Sequence, residues 1–404
     1  MAVALRSNTD LVYLPDHGFA AEEGALRILP QITRQIRRLN VSHNPLGPSG
    51  ALTLFKGLST IRTRYSASEL GLWGLQEINL AACDINDEAF DSIIAYAKKD
   101  VFLRYIYLQG NLITLRDNVE SVMTSLNMSN VEMLSLTNNP SIDPEGFKRF
   151  MSLLNSSSLK GLHIAACRLP PSAASVIADY IRSPRSKNLE FLLLNGNRLG
   201  AQGVTKIVDA IEEANYSLTN VGLLANNYPE TTEDEQGLTT LELTIDNYEE
   251  GELLEYQVHA RLPALLARNS ILTKRVRLAA TKTIGPARII LNALPVSDEE
   301  TAKRVISDIS SDQPSYNFFR LMDLPAEVIN LIVRHVSGDP WALSEGQFTR
   351  LRLEAVDREA LRSWSERRWE LLRGKRKQEE SEAILALQNQ WLRKGKWDKW
   401  EPNM

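Results

Sequence analysis

The chain has 404 residues, of which 43% are hydrophobic and 24% charged, and its formal net charge at pH 7 is −4. This composition predicts a large buried core, and the nearly balanced charge argues against nucleic acid as a partner. There is no apolar run of membrane-spanning length and no signal-peptide pattern. We therefore expect a protein of the cytoplasm or nucleus that has no membrane partner.

The first 35 residues precede the regular part of the sequence. Within them, residues 24–35 have a helical pattern of apolar side chains. We expect residues 1–35 to form an N-terminal cap, because the end of a repetitive structure needs a cover over its open apolar face.

A short apolar frame, Leu-x-x-Leu-x-Leu-x-x-Asn/Cys, recurs seven times after the cap. Its last residue falls at Asn44, Cys83, Asn111, Asn139, Cys167, Asn197 and Asn226, so the intervals are 39, 28, 28, 28, 30 and 29 residues. Alternation within the frame predicts a short strand whose apolar side chains point inward. At its end we expect the Asn amide to bond backbone groups of the neighbouring coil, with Cys making a weaker version of that bond.

Each of the first six frames is followed by a helical pattern. Apolar residues recur at i, i+3, i+4 and i+7 within residues 51–58, 90–97, 119–126, 147–154, 173–180 and 204–211. The sequence from Asn44 to Gly50, the similar one from Asn197 to Gly203, and the period itself resemble the long repeat of ribonuclease-inhibitor-like leucine-rich-repeat proteins. The resemblance covers residues 24–278 and implies an α/β solenoid, a horseshoe of about eight strand–helix coils.

Three segments depart from the regular pattern. The long first interval places extra residues at 59–70, as an excursion on the helix side of the coil. Residues 230–252 contain nine carboxylates and no Lys or Arg, which predicts a solvated acidic loop. Val276 and Leu278 have the spacing of a strand and are candidates for an eighth, degenerate coil, so we expect the repeat domain to span residues 36–293.

A change in composition marks residues 294–317 as a linker, and residues 318–404 are expected to form a helical extension. The start of this extension resembles an F-box, the module that binds the Skp-type adaptor of ubiquitin ligases. The residues that carry this resemblance are Leu324, Pro325, Val328, Ile329, Ile332 and Val336. The alternative is an ordinary amphipathic helix that closes the solenoid, because residues 341–362 are longer and more charged than the second half of an F-box.

The last 41 residues combine five tryptophans with many basic side chains. The tryptophans are Trp364, Trp369, Trp391, Trp397 and Trp400. Aromatic rings among cations can stack on bases and neutralise phosphates. Helices that bury Trp and solvate Lys and Arg have the same pattern. We favour packing, because the whole chain carries little net charge.

Motifs of catalysis and of metal binding were sought in the sequence and not found. There is no phosphate-binding loop, no nucleophile elbow, no HExxH, no CxxC and no EF-hand loop. His43 and His163 lie on exposed sides of strands without a spaced carboxylate or Cys. Cys83 and Cys167 are three coils apart, about 14 Å, and cannot form a disulfide. We expect no enzyme activity, no cofactor and no metal.

Alternation within the strands predicts which side chains leave the core. The outward residues of the middle coils are apolar, and charged residues flank them. We expect a partner protein to bind this concave face, because exposed apolar patches mark interaction sites. The predicted contact residues are Arg38, Glu77, Tyr105, Tyr107, Met133, His163, Phe191 and Leu193, with Arg104 beside them. Alternatively, the C-terminal helices cover this groove and make it part of the core.

The repeat type is also similar to that of the GTPase activators of the small GTPase Ran. That resemblance implies an Arg in a loop after an early strand, for which Arg62, Arg64 and Arg116 are candidates. None of them lies in a matching loop sequence, and the acidic tail of that family is replaced by a basic one. A small GTPase therefore stays an alternative partner beside the Skp-type adaptor, and the leading expectation is a protein-binding scaffold.

Overall fold

The structure is a computed structural model. It describes residues 10–67, 72–226, 232–233, 239–240, 251–254, 256–292, 324–373 and 377–402. The chain divides into two compact units, a repeat unit of residues 1–267 and a helical unit of residues 268–404. The predicted acidic loop lies largely, and the predicted linker wholly, outside the described residues.

Eight short strands of the repeat unit form one parallel sheet in which consecutive strands are neighbours. They are β1 (Leu11–Tyr13), β2 (Arg38–Asn40), β3 (Glu77–Asn79), β4 (Tyr105–Tyr107), β5 (Met133–Ser135), β6 (Gly161–His163), β7 (Phe191–Leu193) and β8 (Asn220–Gly222). A separate antiparallel pair joins β9 (Thr232–Glu233) to β10 (Thr239–Thr240).

One helix follows each of the first seven strands. These helices are α1 (Ala21–Ile28), α2 (Gly47–Ser66), α3 (Asp87–Lys99), α4 (Val119–Asn127), α5 (Pro144–Leu153), α6 (Pro171–Arg182) and α7 (Gly200–Ala214). The alternation of parallel strands and helices confirms the predicted α/β leucine-rich-repeat solenoid. Part of the long first interval forms the end of α2, which has 20 residues.

The central residue of every strand points into one continuous core. These residues are Val12, Leu39, Ile78, Ile106, Leu134, Leu162, Leu192 and Val221, and all are buried. They are also in register across the sheet, so each packs on its equivalents in the coils before and after it. The apolar faces of the helices complete the core from the other side.

Asn111 shows how the frame ends. Its amide Nδ2 donates hydrogen bonds to the carbonyls of Leu80 and Leu108, each 2.9 Å away. Its Oδ1 accepts from the backbone N–H groups of Cys83 at 2.9 Å and Ile85 at 3.0 Å. One buried side chain thus satisfies four backbone groups in two coils, and similar bonds recur at Asn44, Asn139 and Asn197.

The two cysteines occupy the same position in their frames, and they provide only the hydrogen bonds to carbonyl groups. The Sγ of Cys83 donates to the carbonyls of Val41 and Ala81, and Cys167 makes equivalent bonds. A thiol has no second polar atom with which to accept from two amides. Both thiols are free and buried, and burial raises the pKa of each to about 11.

A left-handed residue immediately precedes the last residue of every frame. The seven residues with positive φ are His43, Ala82, Gly110, Asn138, Ala166, Gly196 and Ala225. This conformation turns the chain out of the strand, so that the following Asn or Cys points into the core. Five of the seven residues are not Gly, so at these positions the left-handed backbone costs conformational energy that Gly would not incur.

The prediction of a strand at Val276 and Leu278 is wrong. Both residues lie in the helix α8 (Leu262–Asn292), where Val276 is buried and Leu278 is exposed. Residues two apart face opposite sides of a helix but the same side of a strand, which explains the difference in exposure. The additional strand of the sheet is instead β1, which pairs with β2 at the other end.

The described residues of the helical unit form the later part of α8 and four further helices. These are α9 (Ala326–His335), α10 (Glu345–Val356), α11 (Arg358–Leu372) and α12 (Lys377–Lys394). Its core is small and includes Val276, Val333, Leu351 and Trp397.

The end of the chain is held on α10 by a few polar contacts. Trp397 is 1% exposed, and its indole N–H donates to the carbonyl of Gln347. Its ring packs against that of Trp391, with ring centroids 4.7 Å apart and the planes tilted by 36°. The amide of Gln347, itself buried, donates to the carbonyls of Lys396 and Lys399. Each tryptophan named here packs, whereas Trp369 is exposed.

Candidate functional site

Two rows of side chains line the side of the sheet that faces away from the core. The first row contains Arg38, Glu77, Tyr105, Met133, Gly161, Phe191 and Asn220, and the second contains Asn40, Asn79, Tyr107, Ser135, His163, Leu193 and Gly222. The residues of each row are direct partners in neighbouring strands. We call these two rows the outward sheet face, which in solenoids of this type lines the inside of the horseshoe.

The centre of the outward sheet face is apolar. Tyr105 is 38% exposed, and Met133, Phe191 and Leu193 are half-buried. Gly161 has no side chain between Met133 and Phe191, and a Cβ there would overlap the thioether of Met133. Met133 therefore lies across Gly161, so that the strip from Tyr105 to Phe191 is continuous.

The second row is more polar and more deeply buried. Ser135 is buried, and its hydroxyl faces that of Thr137 at 3.5 Å. His163 is half-buried beside it, and desolvation lowers the pKa of its imidazole below the usual value of 6.5. At neutral pH this histidine is therefore predominantly uncharged and adds little charge to the face.

Most charged groups around this face are paired with each other. Arg38 donates to the Asp10 carboxylate at 2.8 Å, which lowers the pKa of Asp10. One residue before the strands, Glu132 lies between Arg104, at 3.6 Å, and Lys160. These pairs join neighbouring coils along one margin of the face and leave its centre uncharged.

Glu77 differs from these paired groups. Its carboxylate has no hydrogen-bond or ion-pair partner among the described residues, and neither has the hydroxyl of Tyr105 or of Tyr107. Burial, followed by the negative charge of Glu77 and by the neighbouring phenol of Tyr105, raises the pKa of the Tyr107 phenol. An acid and two phenols thus lie together at one end of the apolar strip.

The structure brings the predicted contact residues onto one face, and it adds residues that were not predicted. Asp10 and Glu132 lie at the margin and pair with Arg38 and Arg104, and Lys160 also pairs with Glu132. Asp10 belongs to the expected cap, so no frame pointed to it. Glu132 and Lys160 have the same position within their frames as Arg104, and comparison of this position across coils is a signal that would have identified them.

A second notable site is the loop before α4, which a buried carboxylate holds. Asp87 accepts from the N–H groups of Thr114, Leu115, Arg116 and Asp117, and from the Thr114 hydroxyl at 2.6 Å. Burial raises the pKa of Asp87, but the hydrogen bonds outweigh this effect and the pKa is lowered from 3.8. The loop is thereby fixed.

The loop presents the side chain of Arg116. This side chain is 68% exposed, and its Nε lies 3.4 Å from the carboxylate of Asp143. The other two candidate arginines are on α2, where Arg62 donates to the carbonyl of Lys99 and Arg64 is exposed.

The F-box-like residues lie immediately before α9, along it and at its end. Ile329 and Val333 are its buried residues, while Ile332 and Val336 are half-buried. Val328 and Leu331 are exposed, and Pro325 is exposed immediately before the helix; Leu324 is half-buried. The predicted face of the helix is therefore divided between packing and solvent.

Neither metal ligation nor a membrane span has a candidate among the described residues. Within those ranges, no three His, Cys, Asp or Glu side chains lie close enough to hold a metal ion. No helix in the described part of the chain is long and apolar enough to span a membrane.

Comparison with known proteins gave one family match. A family model for the leucine-rich repeat matches residues 35–55, which contain the first frame and the beginning of α2. No curated protein matches the chain. The family match agrees with the eight-stranded parallel sheet in assigning leucine-rich repeats to this chain.

Proposed function

We propose that this protein is a binding scaffold that holds a partner protein on its outward sheet face. The observation that carries the proposal is the apolar strip formed by Tyr105, Met133 and Phe191, which lie in one row across β4 to β7. Repeat solenoids usually bind other proteins along an extended surface, rather than catalyse reactions.

The composition of the strip supports this proposal. Aromatic residues and Met are enriched at the centres of protein interfaces, whereas charged residues are depleted there. The charged groups here lie at the margins, where Arg38 pairs with Asp10 and Glu132 with Lys160. The strands that carry the strip are held by a tightly packed core, so little conformational entropy is lost when a partner binds.

The test is affinity purification of the full chain from its own cells, with quantitative mass spectrometry of the retained proteins. Phe191→Ala removes a large part of the strip and is expected to reduce retention of the partner about tenfold or more. The matched control is Leu153→Ala, which removes a partly exposed apolar side chain from α5.

Three results would decide between the proposal and its alternatives. A partner retained by the wild type and by Leu153→Ala, but lost from Phe191→Ala with an unchanged thermal midpoint, supports the proposal. Equal retention by all three proteins contradicts it. A loss of stability in Phe191→Ala equal to the loss of binding would show that this side chain belongs to the core, as the alternative of a covered groove requires.

A second candidate function is activation of a small GTPase. The observation that favours it is the loop anchored by Asp87, which presents an exposed Arg116. Activators of this class place an Arg near the transferred phosphate. Arg116→Ala should abolish acceleration of GTP hydrolysis by a Ran-type GTPase and leave the fold intact, whereas wild-type protein without any acceleration would exclude the function.

A third candidate is substrate reception for a ubiquitin ligase. The exposed side chains of Val328 and Leu331 on α9 favour it, because they give this helix an apolar surface. The full chain should then retain a Skp-type adaptor, and Leu324→Ala combined with Ile332→Ala should lose it. Retention of the adaptor by this double variant would exclude the F-box-like contact.

A further inference from the structure

The end of the apolar strip nearest β3 combines an acid with two phenols. Glu77 and Tyr105 are direct partners in neighbouring strands, and Tyr107 lies two residues beyond Tyr105 on the same face. Neighbouring strands are about 4.8 Å apart, and residues two apart along a strand are separated by about 7 Å. The three side chains therefore share one small area, which we call the Glu77 corner.

The polar groups of the Glu77 corner lack partners. Among the residues that the structure describes, none forms a hydrogen bond or ion pair with the Glu77 carboxylate or with either phenol hydroxyl. The nearest cation in the same row, Arg38, is already bound to Asp10 at 2.8 Å. On the other side, the guanidinium of Arg104 donates to the backbone carbonyls before β4 and lies near Glu132.

The neighbouring cations are thus committed elsewhere, while the carboxylate is not. Arg38 also attracts Glu77, which contributes to the raised pKa of Arg38, but the Asp10 carboxylate bound to Arg38 offsets this attraction and no described cation contacts the Glu77 carboxylate. Glu77 is half-buried, so a partner that covers it must supply a compensating charge or leave a desolvated carboxylate. A partner with an apolar side chain at this point would be disfavoured.

We propose that the Glu77 corner binds an Arg or Lys side chain of the partner protein. The inference rests on the proposed function, since it names the chemistry of a partner on the outward sheet face. The carboxylate of Glu77 accepts hydrogen bonds from the cation, and the rings of Tyr105 and Tyr107 offer their faces to it. A cation that contacts both an acid and aromatic rings gains from ion pairing and from the ring quadrupole.

The apolar strip adds a distance to this requirement. The Glu77 corner lies on β3 and β4, whereas Phe191 lies on β7, so three to four strand spacings separate them, or about 14 to 19 Å. The partner should therefore present a basic group and an apolar side chain about 14 to 19 Å apart. The Cα atoms of residues i and i+4 of an extended peptide are about 13 Å apart, and the long side chain of Arg or Lys at one end extends this reach.

A defined peptide probe tests the corner before the partner itself has been identified. The probe is the pentapeptide acetyl-Arg-Gly-Ser-Gly-Leu-amide, and its neutral counterpart contains citrulline in place of Arg. Binding to the full chain is followed by fluorine NMR of protein labelled with fluorotyrosine, with the Tyr105 and Tyr107 signals assigned by single Tyr→Phe variants. The Arg peptide should shift both signals in a saturable way.

The variants separate charge from shape. Glu77→Gln keeps the size of the side chain, and it is expected to weaken binding of the Arg peptide about tenfold, which corresponds to the loss of a charge-assisted contact. The citrulline peptide should bind wild type about as weakly. Glu88→Gln is the matched control, since Glu88 is exposed in the first turn of α3 away from this face, and it should bind like wild type.

Three results would overturn the proposal: equal binding of the Arg peptide to Glu77→Gln, equal binding of the two peptides, or no shift of the two tyrosine signals. The partner-capture experiment distinguishes this failure from failure of the proposed function. If Phe191→Ala loses the partner while Glu77→Gln keeps it, the binding-scaffold proposal is supported and the cation site is contradicted. If neither variant loses the partner, the proposed function is contradicted as well.

Discussion

In the repeat unit one set of contacts recurs in coil after coil, whereas in the helical unit each important contact occurs once. Asn111 satisfies four backbone groups, and Asn197 makes an equivalent set of bonds to its own coil and the preceding one. In the helical unit, a single Gln347 binds the turn that follows α12. The first arrangement has many equivalent positions, whereas the second has none among the described residues of the helical unit.

This difference teaches where damage should be local and where it should not. A solenoid is stabilised by each coil and by its contacts with the two adjacent coils. Loss of one Asn therefore weakens two neighbouring coils and leaves equivalent bonds elsewhere. In the described part of the helical unit, a contact such as that of Gln347 has no equivalent elsewhere. Its loss should therefore weaken the whole local core.

The largest effect is expected for Trp397→Ala in the helical unit. The ring is 1% exposed, packs on Trp391, and lies so close to Gly395 that a Cβ there would overlap it. Its removal should cost about 3 to 5 kcal/mol of the free energy of unfolding, as for other buried aromatic residues. Hydrogen exchange should show the greatest loss of protection in α10 and α12.

Trp369→Ala is the matched control for this prediction. Trp369 lies on α11 and is 77% exposed, so its truncation should change the free energy of unfolding by less than about 0.5 kcal/mol. Equal effects of the two variants would mean that the chain end is not anchored through Trp397, and the contrast between unique and repeated contacts would lose its clearest case.

The next largest effect is expected for Asn111→Ala in the repeat unit. The change leaves two buried N–H groups and two carbonyls without this partner, and should cost about 3 kcal/mol. Cys83→Ala, at the equivalent position of the preceding coil, removes one weak donor and should cost about 1 kcal/mol. Urea unfolding measures both, and a cost for Cys83→Ala as large as that for Asn111→Ala would contradict the assignment of distinct bonding capacity.

Asp87→Asn should have an intermediate effect that depends on pH. In Asn an NH2 donor replaces one carboxylate oxygen and would face backbone N–H groups, which are also donors. We therefore expect the free energy of unfolding to fall by about 2 kcal/mol at pH 7. The folded-state pKa of Asp87 lies below the usual 3.8, so its contribution is present above that pH. The contribution is lost as the pH falls through the folded-state pKa.

The measurement is the difference in unfolding free energy between wild type and Asp87→Asn at several pH values. The difference should be constant from pH 7 to about 5, and should shrink as the pH falls below about 4. A difference that grows on acidification would show that the carboxylate destabilises the loop rather than holds it.

Periodicity predicted the part of the fold in which contacts repeat. The frame predicted strands β2 to β8, because equivalent inward positions, such as that of Leu134, have similar apolar neighbours in every coil. Periodicity gave a wrong strand at Val276 and Leu278, because two apolar residues at positions i and i+2 also occur by chance in a helix.

The candidate site was predictable to a similar extent. Alternation placed Tyr105, Tyr107 and Phe191 in two outward rows, and the structure has these rows in register. Alternation is a property of one strand, and it contains no information on contacts between coils. The pairing of Asp10 with Arg38 and the position of Met133 over Gly161 depend on neighbouring strands, so they required the structure.

The smallest effect on stability is expected for Tyr107→Ala. Tyr107 lies at an outward position and its hydroxyl has no partner in the described part of the chain, so the free energy of unfolding should fall by less than about 1 kcal/mol. Binding of the captured partner should weaken by at least about 1 kcal/mol, because an aromatic side chain at an interface contributes most of its area only in the complex. Thermal unfolding and a binding titration on the same protein give both values.

Tyr96→Ala provides the opposite case within the same unit. Tyr96 is buried, and its hydroxyl donates to the buried carboxylate of Asp100 at 2.8 Å. This variant should lose about 3 to 5 kcal/mol of stability, with no specific loss of binding at temperatures where it is folded. If Tyr107→Ala lost stability on the scale of Tyr96→Ala, the outward sheet face would belong to the core, and partner binding would have to be sought on another surface.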